Sequence, residues 1–273
     1  MVRFTCIPVL KTVLISAVFL ASCATVPLTG RKQLSLVPES EVMALSLTQY
    51  DQFLKTNKLS SNKAETARIK KIGGNIAAAV TKYLADKGMS AYLDGYKWEF
   101  NLIEDKSINA WCMPGGKVVV YTGILPLMKN DAQLATVMSH EIAHAIARHG
   151  SERMSEQLVA QGAGTALSIA LSEKPQQTQQ VAMAAFGLGS QLGYMLPFSR
   201  THEYEADEMG LDFMAMAGYD PNQSIDFWKA MAQNSTSKTP EFLNTHPLDE
   251  NRIKRISEKL PEAMKYYHPG GSK

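Results

Sequence analysis

Apolar residues in the first half of the chain predict two helices followed by two strands. Val42, Leu45 and Tyr50 recur at near-helical intervals in a segment that begins near residue 38, and a second helix is predicted at about 64–86. Alternating apolar residues within 96–105 and the letters GKVVVYTGIL, which follow a Pro-Gly-Gly turn, predict strands. We expect these strands in one small antiparallel sheet.

From Asp131 onward the pattern is helical throughout. Asp131 is the predicted N-cap and Gly150 the predicted end of a long helix with the letters HEIAH, 140–144, in its middle. Residues 151–196, rich in small residues, are predicted to form a helical hairpin that breaks within 172–180. This hairpin either covers an active-site cleft or is simply closely packed.

Three further helices are expected, at 199–217, 221–234 and 247–260. Asp220 and Pro221 are the predicted cap and first residue of the second of these. The prediction is therefore one α+β domain over 38–262, mostly helical with its small sheet beside the HEIAH helix, and a tail at 263–273.

The first 22 residues, 1–22, predict an export signal rather than part of the fold. Arg3 and Lys11 lie in a short basic region, and 12–20 is an apolar run too short to span a bilayer. The run ends in LASC, which resembles the lipobox of bacterial lipoproteins, so we expect Cys23 to receive a lipid. The alternative is a plain secretory signal that happens to contain a cysteine.

A lipid on Cys23 would anchor the protein in a bacterial envelope. Residues 23–37 lack periodicity and are predicted to be a lipidated tether. Ala24 stands where an aspartate retains many such lipoproteins in the inner membrane, which favours the outer membrane, facing the periplasm. Cys6 would leave with the signal, so Cys112 is expected to have no disulfide partner.

Composition and charge favour a globular protein and disfavour a nucleic-acid partner. The chain is 45% hydrophobic and 20% charged over 273 residues, which is ordinary for a domain with a substantial core. Its 28 Lys and Arg nearly balance 26 Asp and Glu, and it has no basic stripe interleaved with aromatic residues.

The letters HEIAH contain two potential metal ligands and a base. His140 and His144 stand about 40° apart around a helix axis and one turn apart, so both can reach one ion. Glu141 is offset by about 100° and can accept a proton from a water activated there. Because catalytic zinc typically has three protein ligands, a third must come from elsewhere.

The third ligand is expected in the segment SRTHEYEADEMG, 199–210. Glu203 and Asp207 share a helical face, so one carboxylate can bind the metal while the other accepts the N–H of a ligating histidine. Four other residues nearby are expected at the solvent-exposed surface: Glu205, Glu208, His202 and His149.

Four separated motifs together resemble the M48 zinc metallopeptidases, the Ste24/HtpX-like gluzincins, and in particular their exported lipoprotein members. They are HEIAH, the pattern SRxxExEAD at 199–207, NAWCMPGGKVVVYTGIL at 109–125 and THPLDENR at 245–252. The resemblance implies a gluzincin fold and one zinc ion per chain. It makes His140, His144 and Glu203 the zinc ligands, Glu141 the general base, and Asp207 the carboxylate behind a ligand.

Further roles follow from the same resemblance. Asn109 and Ala110 match an edge strand that pairs with the backbone of an extended substrate. His246 would either polarise the oxyanion or cap the zinc in a resting state, unless it is an ordinary loop histidine, and Arg252 would hold its loop. Cys112, without a matching histidine, is predicted to be a packed thiol rather than a nucleophile.

The sequence thus predicts a lipid-anchored zinc endopeptidase that acts on polypeptides, such as misfolded envelope proteins. The alternative is a chaperone or assembly lipoprotein that uses the same fold, with cleavage incidental. Glu141 argues against it, because a scaffold needs no base. Neither transmembrane helices nor a tetratricopeptide extension is expected after residue 260. The sequence does not identify an envelope-assembly partner.

Overall fold

The computed structural model of the protein describes residues 23–191, 195–234, 241–248 and 250–269. The predicted export signal, 1–22, and the last four residues of the predicted tail lie outside these ranges. Within them the fold is mostly helical with two small sheets, which confirms the α+β prediction.

The described α-helices follow the predicted order, with boundaries shifted by a few residues. They are α1 (Glu39–Thr56), α2 (Lys63–Asp86), α3 (Asp131–Ile146), α4 (His149–Ala170), α5 (Gln176–Ser190), α6 (Leu196–Met216), α7 (Gln223–Asn234), α8 (Glu241–Thr245) and α9 (Glu250–Ala263). The helix α8 was not predicted, because its five residues are too few to show a helical period. The prediction of Asp220 as the cap and Pro221 as the first residue of α7 was wrong by two positions, because α7 begins at Gln223. Asp220 instead accepts the N–H of Asn222 at 3.0 Å and closes a turn before the helix.

The predicted tether is folded against the body of the protein. Strands β1 (Cys23–Thr25) and β2 (Lys32–Leu34) form an antiparallel pair, and the turn between them contains Leu28 and Gly30 at positive φ. Val26 in this turn is buried in the hydrophobic core. The segment was expected to be irregular because a three-residue strand is too short to show alternation.

The second sheet lies beside α3 and is mixed rather than antiparallel. Strands β3 (Glu99–Ile103), β4 (Ala110–Met113) and β5 (Lys117–Tyr121) are ordered β3-β5-β4. A tight turn makes β4 and β5 antiparallel, while β5 runs parallel to β3. The prediction of an antiparallel sheet was wrong for β3 and β5. The relative direction of two strands depends on the path of the chain that connects them, and the residue pattern within the strands does not reveal that path.

The helix α3 differs from its prediction at both ends. Its N-cap is Asn130, which accepts the N–H of Gln133 at 2.9 Å, whereas Asp131 instead pairs with Arg68. Because Asn and Asp are equally good N-caps, the sequence could not decide whether Asn130 or Asp131 caps the helix. Gly150 does not end the helix: α3 ends at Ile146, and the letters HEIAH lie in its last two turns.

The break after α3 occurs at Arg148, which adopts a left-handed conformation with φ 56°. This residue redirects the chain, so that α4 begins at His149 and Gly150 lies inside α4. Arg148 is held by its guanidinium, which stacks 4.0 Å over the ring of Tyr92. The turn therefore places His149 close to the HEIAH segment.

The helices α3 and α6 pack directly against each other and form the centre of the domain. A Cβ on Gly210 of α6 would lie 3.1 Å from the backbone nitrogen of His140, so glycine permits this close approach. By contrast, the predicted hairpin of α4 and α5 is largely exposed beyond the first two turns of α4. None of the described helices is both long and apolar enough to cross a membrane.

Candidate active site

Four buried side chains from three separate segments converge on one point, and we call this group the ligand cluster. His140 and His144 come from α3, Glu203 from α6, and His246 from the loop before α9. The Nε2 atoms of His140 and His144 are 3.1 Å apart, and each is 3.4 Å from an oxygen of Glu203. His246 Nδ1 lies 3.2 Å from His140 Nε2 and 3.1 Å from Glu203 Oε2.

The chemistry of these atoms fits a zinc ion. Two imidazole nitrogens and one carboxylate oxygen are a common ligand set for catalytic zinc. Bonds of about 2.0–2.1 Å in a tetrahedron separate ligand atoms by roughly 3.4 Å, which is close to the 3.1–3.4 Å found among His140, His144 and Glu203. Every member of this group is buried, so the carboxylate of Glu203 needs positive charge beside it. Arg252 Nη1, 3.3 Å from Glu203 Oε2, supplies part of that charge, and a bound cation would supply more.

Asp207 and Arg252 support His140 from behind. Asp207 Oδ1 lies 3.0 Å from His140 Nδ1, so Nε2 of that ring faces the cluster. Arg252 binds both oxygens of Asp207 at 2.8 Å and is itself buried. Burial alone would lower the pKa of His140, but the carboxylates of Asp207 and Glu203 outweigh it and raise that pKa to about 9.

Glu141 stands beside the cluster without belonging to it. Its Oε1 is 3.3 Å from His246 Nε2, and the side chain is buried. Burial raises the pKa of this carboxyl above its usual range, although the neighbouring His246 and His140 lower it in part. A raised pKa makes a carboxylate a better proton acceptor near neutral pH.

His246 is held in place by its own backbone. Its N–H donates to the carbonyl of Phe242 at 2.8 Å, and its carbonyl accepts from Arg252 at 3.2 Å. The expectation that Arg252 holds this loop is therefore confirmed. The imidazole reaches both the ligand cluster and Glu141, so His246 is part of the site rather than an ordinary loop histidine.

Three of the residues expected at the surface are buried instead. His149, His202 and Glu205 are 0%, 1% and 5% exposed, so that prediction was wrong for them. Glu208 is partly exposed and pairs with Arg255 at 2.9 Å. The buried three form a polar layer behind His144: His149 Nδ1 lies 2.8 Å from His144 Nδ1, and the rings of His149 and His202 stack at 4.3 Å.

The N-terminal turn completes this polar layer. Arg31 donates to Glu205 at 2.8 Å and to both oxygens of Glu152 at 2.8 and 2.6 Å, and Thr29 also donates to Glu205. Glu152 in turn lies 2.8 Å from Nε2 of His202. Nothing in the local sequence signals these contacts, because they join positions at least 50 residues apart.

The predicted substrate strand occupies the edge next to α3. Asn109 and Ala110 stand at the start of β4, which among the described strands pairs with β5 on one side only. Whether a peptide pairs with its other side stays a prediction. Cys112 of the same strand packs against the core, and burial, followed by the charge of Glu141, raises the pKa of its thiol well above its usual value. This supports a packed thiol.

Comparison with known proteins gives a consistent result. The sequence model that describes Peptidase family M48 matches residues 72–260 of this chain. The chain is 37% identical over 198 residues to mitochondrial metalloendopeptidase OMA1 of Schizosaccharomyces pombe. This aligned region covers 69% of the chain and 53% of the relative. It is 32% identical over 183 residues to the beta-barrel assembly-enhancing protease of Escherichia coli strain K12, which covers 64% of this chain and 37% of that protein. The chain thus spans about half or less of these relatives.

Proposed function

Because the chain belongs to peptidase family M48, whose members are zinc metallopeptidases, we propose that it is an endopeptidase that hydrolyses peptide bonds at the HEIAH centre. The observation that carries this proposal is the convergence of His140, His144 and Glu203, with Glu141 beside them. These three residues would hold the zinc ion. Zinc supplies Lewis-acid activation of the attacking water and of the scissile carbonyl.

Glu141 performs the proton transfers. As a buried carboxylate with a raised pKa, it accepts the proton of the attacking water and then passes it to the leaving amine. An extended peptide placed along the edge of β4 that faces away from β5, at Asn109 and Ala110, would bring its carbonyl to this centre through backbone hydrogen bonds. The N–H of Ala110 now donates to Oδ1 of Asn109 at 2.9 Å, and the peptide would take over that hydrogen bond. Asp207 fixes the ring of His140 throughout.

Metal removal tests this function. Treatment with a strong zinc chelator is expected to abolish cleavage of an unfolded polypeptide such as casein, and stoichiometric zinc is expected to restore it. Rates are measured by release of labelled peptides, with magnesium added to a parallel chelated sample as the control. Full cleavage by protein that elemental analysis shows to be metal-free would contradict the proposal.

In this proposal, the imidazole of His246 blocks the ligand cluster while no substrate is bound, which keeps the enzyme in a resting state. It stands within hydrogen-bond distance of His140, Glu203 and Glu141 at once, which is where the attacking water and the substrate oxygen must enter. With zinc bound, a nitrogen in that position could serve as a further ligand and would exclude water. Its backbone contacts with Phe242 and Arg252 keep it there until substrate displaces it.

Replacing His246 with alanine separates the resting-state role from a role in catalysis. If His246 blocks the centre in most molecules, cleavage is expected to rise by up to about tenfold, since the competent fraction grows. If it instead polarises the oxyanion, cleavage falls by about 10²- to 10³-fold. The exposed His268→Ala is the matched control, which should leave the rate unchanged.

We also propose that Cys23 carries a lipid that anchors the protein in a bacterial envelope, at the periplasmic face of the outer membrane, where it acts on misfolded envelope proteins. The letters LASC support the anchor, and Cys23 is exposed at the start of β1. The name of the Escherichia coli relative supports substrates connected with β-barrel assembly. Assembly partners would meet the protein at that membrane.

Lipidation is tested by growing cells with labelled palmitate. Label is expected in the wild-type protein and in Cys112→Ser, and is expected to be absent from Cys23→Ser. The Cys23→Ser protein should also move from the membrane fraction to the soluble fraction, because a single attachment point carries the anchor. Label retained by Cys23→Ser would rule out this cysteine.

A further inference from the structure

A continuous line of polar atoms runs from the ligand cluster to the N-terminal turn. His144 Nε2 faces the cluster, and its Nδ1 lies 2.8 Å from His149 Nδ1. On the far side of that ring, His149 Nε2 lies 3.0 Å from Oε2 of Glu205. Glu205 is held there by Arg31 and by Thr29.

The position of each hydrogen in this line follows from its end. A carboxylate only accepts hydrogen bonds, so His149 carries its hydrogen on Nε2 and presents a lone pair on Nδ1. His144 must then donate its Nδ1 hydrogen to that lone pair. This leaves the lone pair of His144 Nε2 directed into the cluster, which is the tautomer that binds a metal.

We propose that His149 and Glu205 are positioning residues that fix the ring orientation and tautomer of His144 for zinc, an inference that rests on the proposed function. The two ligating histidines are then supported by parallel arrangements. Asp207 faces His140 directly and is paired with Arg252, while Glu205 acts on His144 through His149 and is paired with Arg31. Both carboxylates come from α6.

The surroundings of His149 contain a second group of buried acidic and histidine side chains. Glu152, Glu156 and His202 lie close enough together to bind an ion. However, Arg31 already binds both oxygens of Glu152, and Nε2 of His202 is directed at the same carboxylate. The guanidinium of Arg31 therefore already supplies a fixed positive charge beside Glu152 and Glu205.

The inference is tested by two substitutions at His149 that are close in size but differ in hydrogen bonding. Asparagine places an acceptor oxygen where His149 has Nδ1, whereas leucine has none. In the full chain, His149→Leu is expected to weaken zinc binding about 10- to 100-fold, while His149→Asn stays within about threefold of wild type. Affinity is measured by competition with a chromogenic chelator, together with the visible spectrum of the cobalt-substituted protein.

His202→Leu is the matched control for lost packing. His202 is as deeply buried and stacks on the ring of His149, but it does not contact any residue of the ligand cluster in the described contacts. We expect His202→Leu to reduce thermal stability and to leave zinc affinity unchanged. Equal affinity for both His149 variants and wild type, or the same loss in His202→Leu as in His149→Leu, would overturn the inference.

A measurement on the unaltered protein covers the case in which a variant does not fold. Long-range nitrogen–proton NMR of the zinc-loaded wild type is expected to place the hydrogen of His149 on Nε2 and that of His144 on Nδ1. The reverse tautomer at His149 would overturn the inference while leaving the proposed function intact. A wild-type chain that binds no zinc would overturn both.

Discussion

Replacement of Glu141 by glutamine is expected to reduce peptide cleavage by about 10²- to 10⁴-fold and to leave zinc binding intact. Glutamine keeps the shape of the side chain in its buried position but cannot accept the proton of the attacking water. Glu141 is not among the residues that converge on the cluster, so the ligands remain in place. Cleavage of a labelled polypeptide and zinc content by elemental analysis are measured on the same preparation.

The control for this substitution is Glu208→Gln, a partly exposed glutamate on α6 that pairs with Arg255 away from the centre. It should cleave at the wild-type rate. Full activity in Glu141→Gln would contradict the assignment of the base. The same variant also separates an enzyme from a chaperone, because equal rescue of an envelope defect by wild type and Glu141→Gln would favour the chaperone.

The second large effect is expected from Arg252→Met, which should lower the free energy of unfolding by about 3–5 kcal/mol. The substitution removes the guanidinium that binds both oxygens of the buried Asp207, so that this carboxylate keeps its contact with His140 but loses its fixed positive partner. It also removes a guanidinium that lies 4.1 Å over the ring of Trp228. Urea unfolding is measured in the presence of a chelator, so that a change in zinc binding does not contribute.

A pair of further variants identifies the cause of that loss. Arg255→Met removes an arginine of the same size whose side chain is 48% exposed, and it should cost less than about 1 kcal/mol. Adding Asp207→Leu to Arg252→Met should recover much of the stability, because the buried carboxylate that lost its guanidinium is then gone. A double variant no more stable than Arg252→Met would mean that packing, and not charge, dominates.

Residues on one helical face were predictable from the sequence. His140 and His144, and likewise Glu203 and Asp207, are four apart, and helical geometry alone brings each pair to one side. The structure brings both pairs together at the packing of α3 on α6. His246 could be connected with them only through the family resemblance, since it lies on a loop after both helices.

His149 could not be placed by the same reasoning, because it depends on a single backbone angle. On one continuous helix, nine positions after His140, it would point about 180° away from the metal. The left-handed conformation of Arg148 ends α3 and turns His149 back onto His144. Glu205 was misplaced for a related reason, since its partner Arg31 comes from the other end of the chain. Contacts of this range leave no periodic signal.

If Cys23 carries the proposed lipid, the hairpin of β1 and β2 limits the distance between the catalytic centre and the bilayer. Arg31 is eight positions after Cys23 and is bonded to Glu205. An extended run of that length covers at most about 30 Å, and here it is folded back on itself. A lipid on Cys23 would therefore keep the enzyme within a short distance of the membrane surface. Substrates would then reach the active site only close to the bilayer, because the short attachment does not let the enzyme diffuse far from the membrane surface.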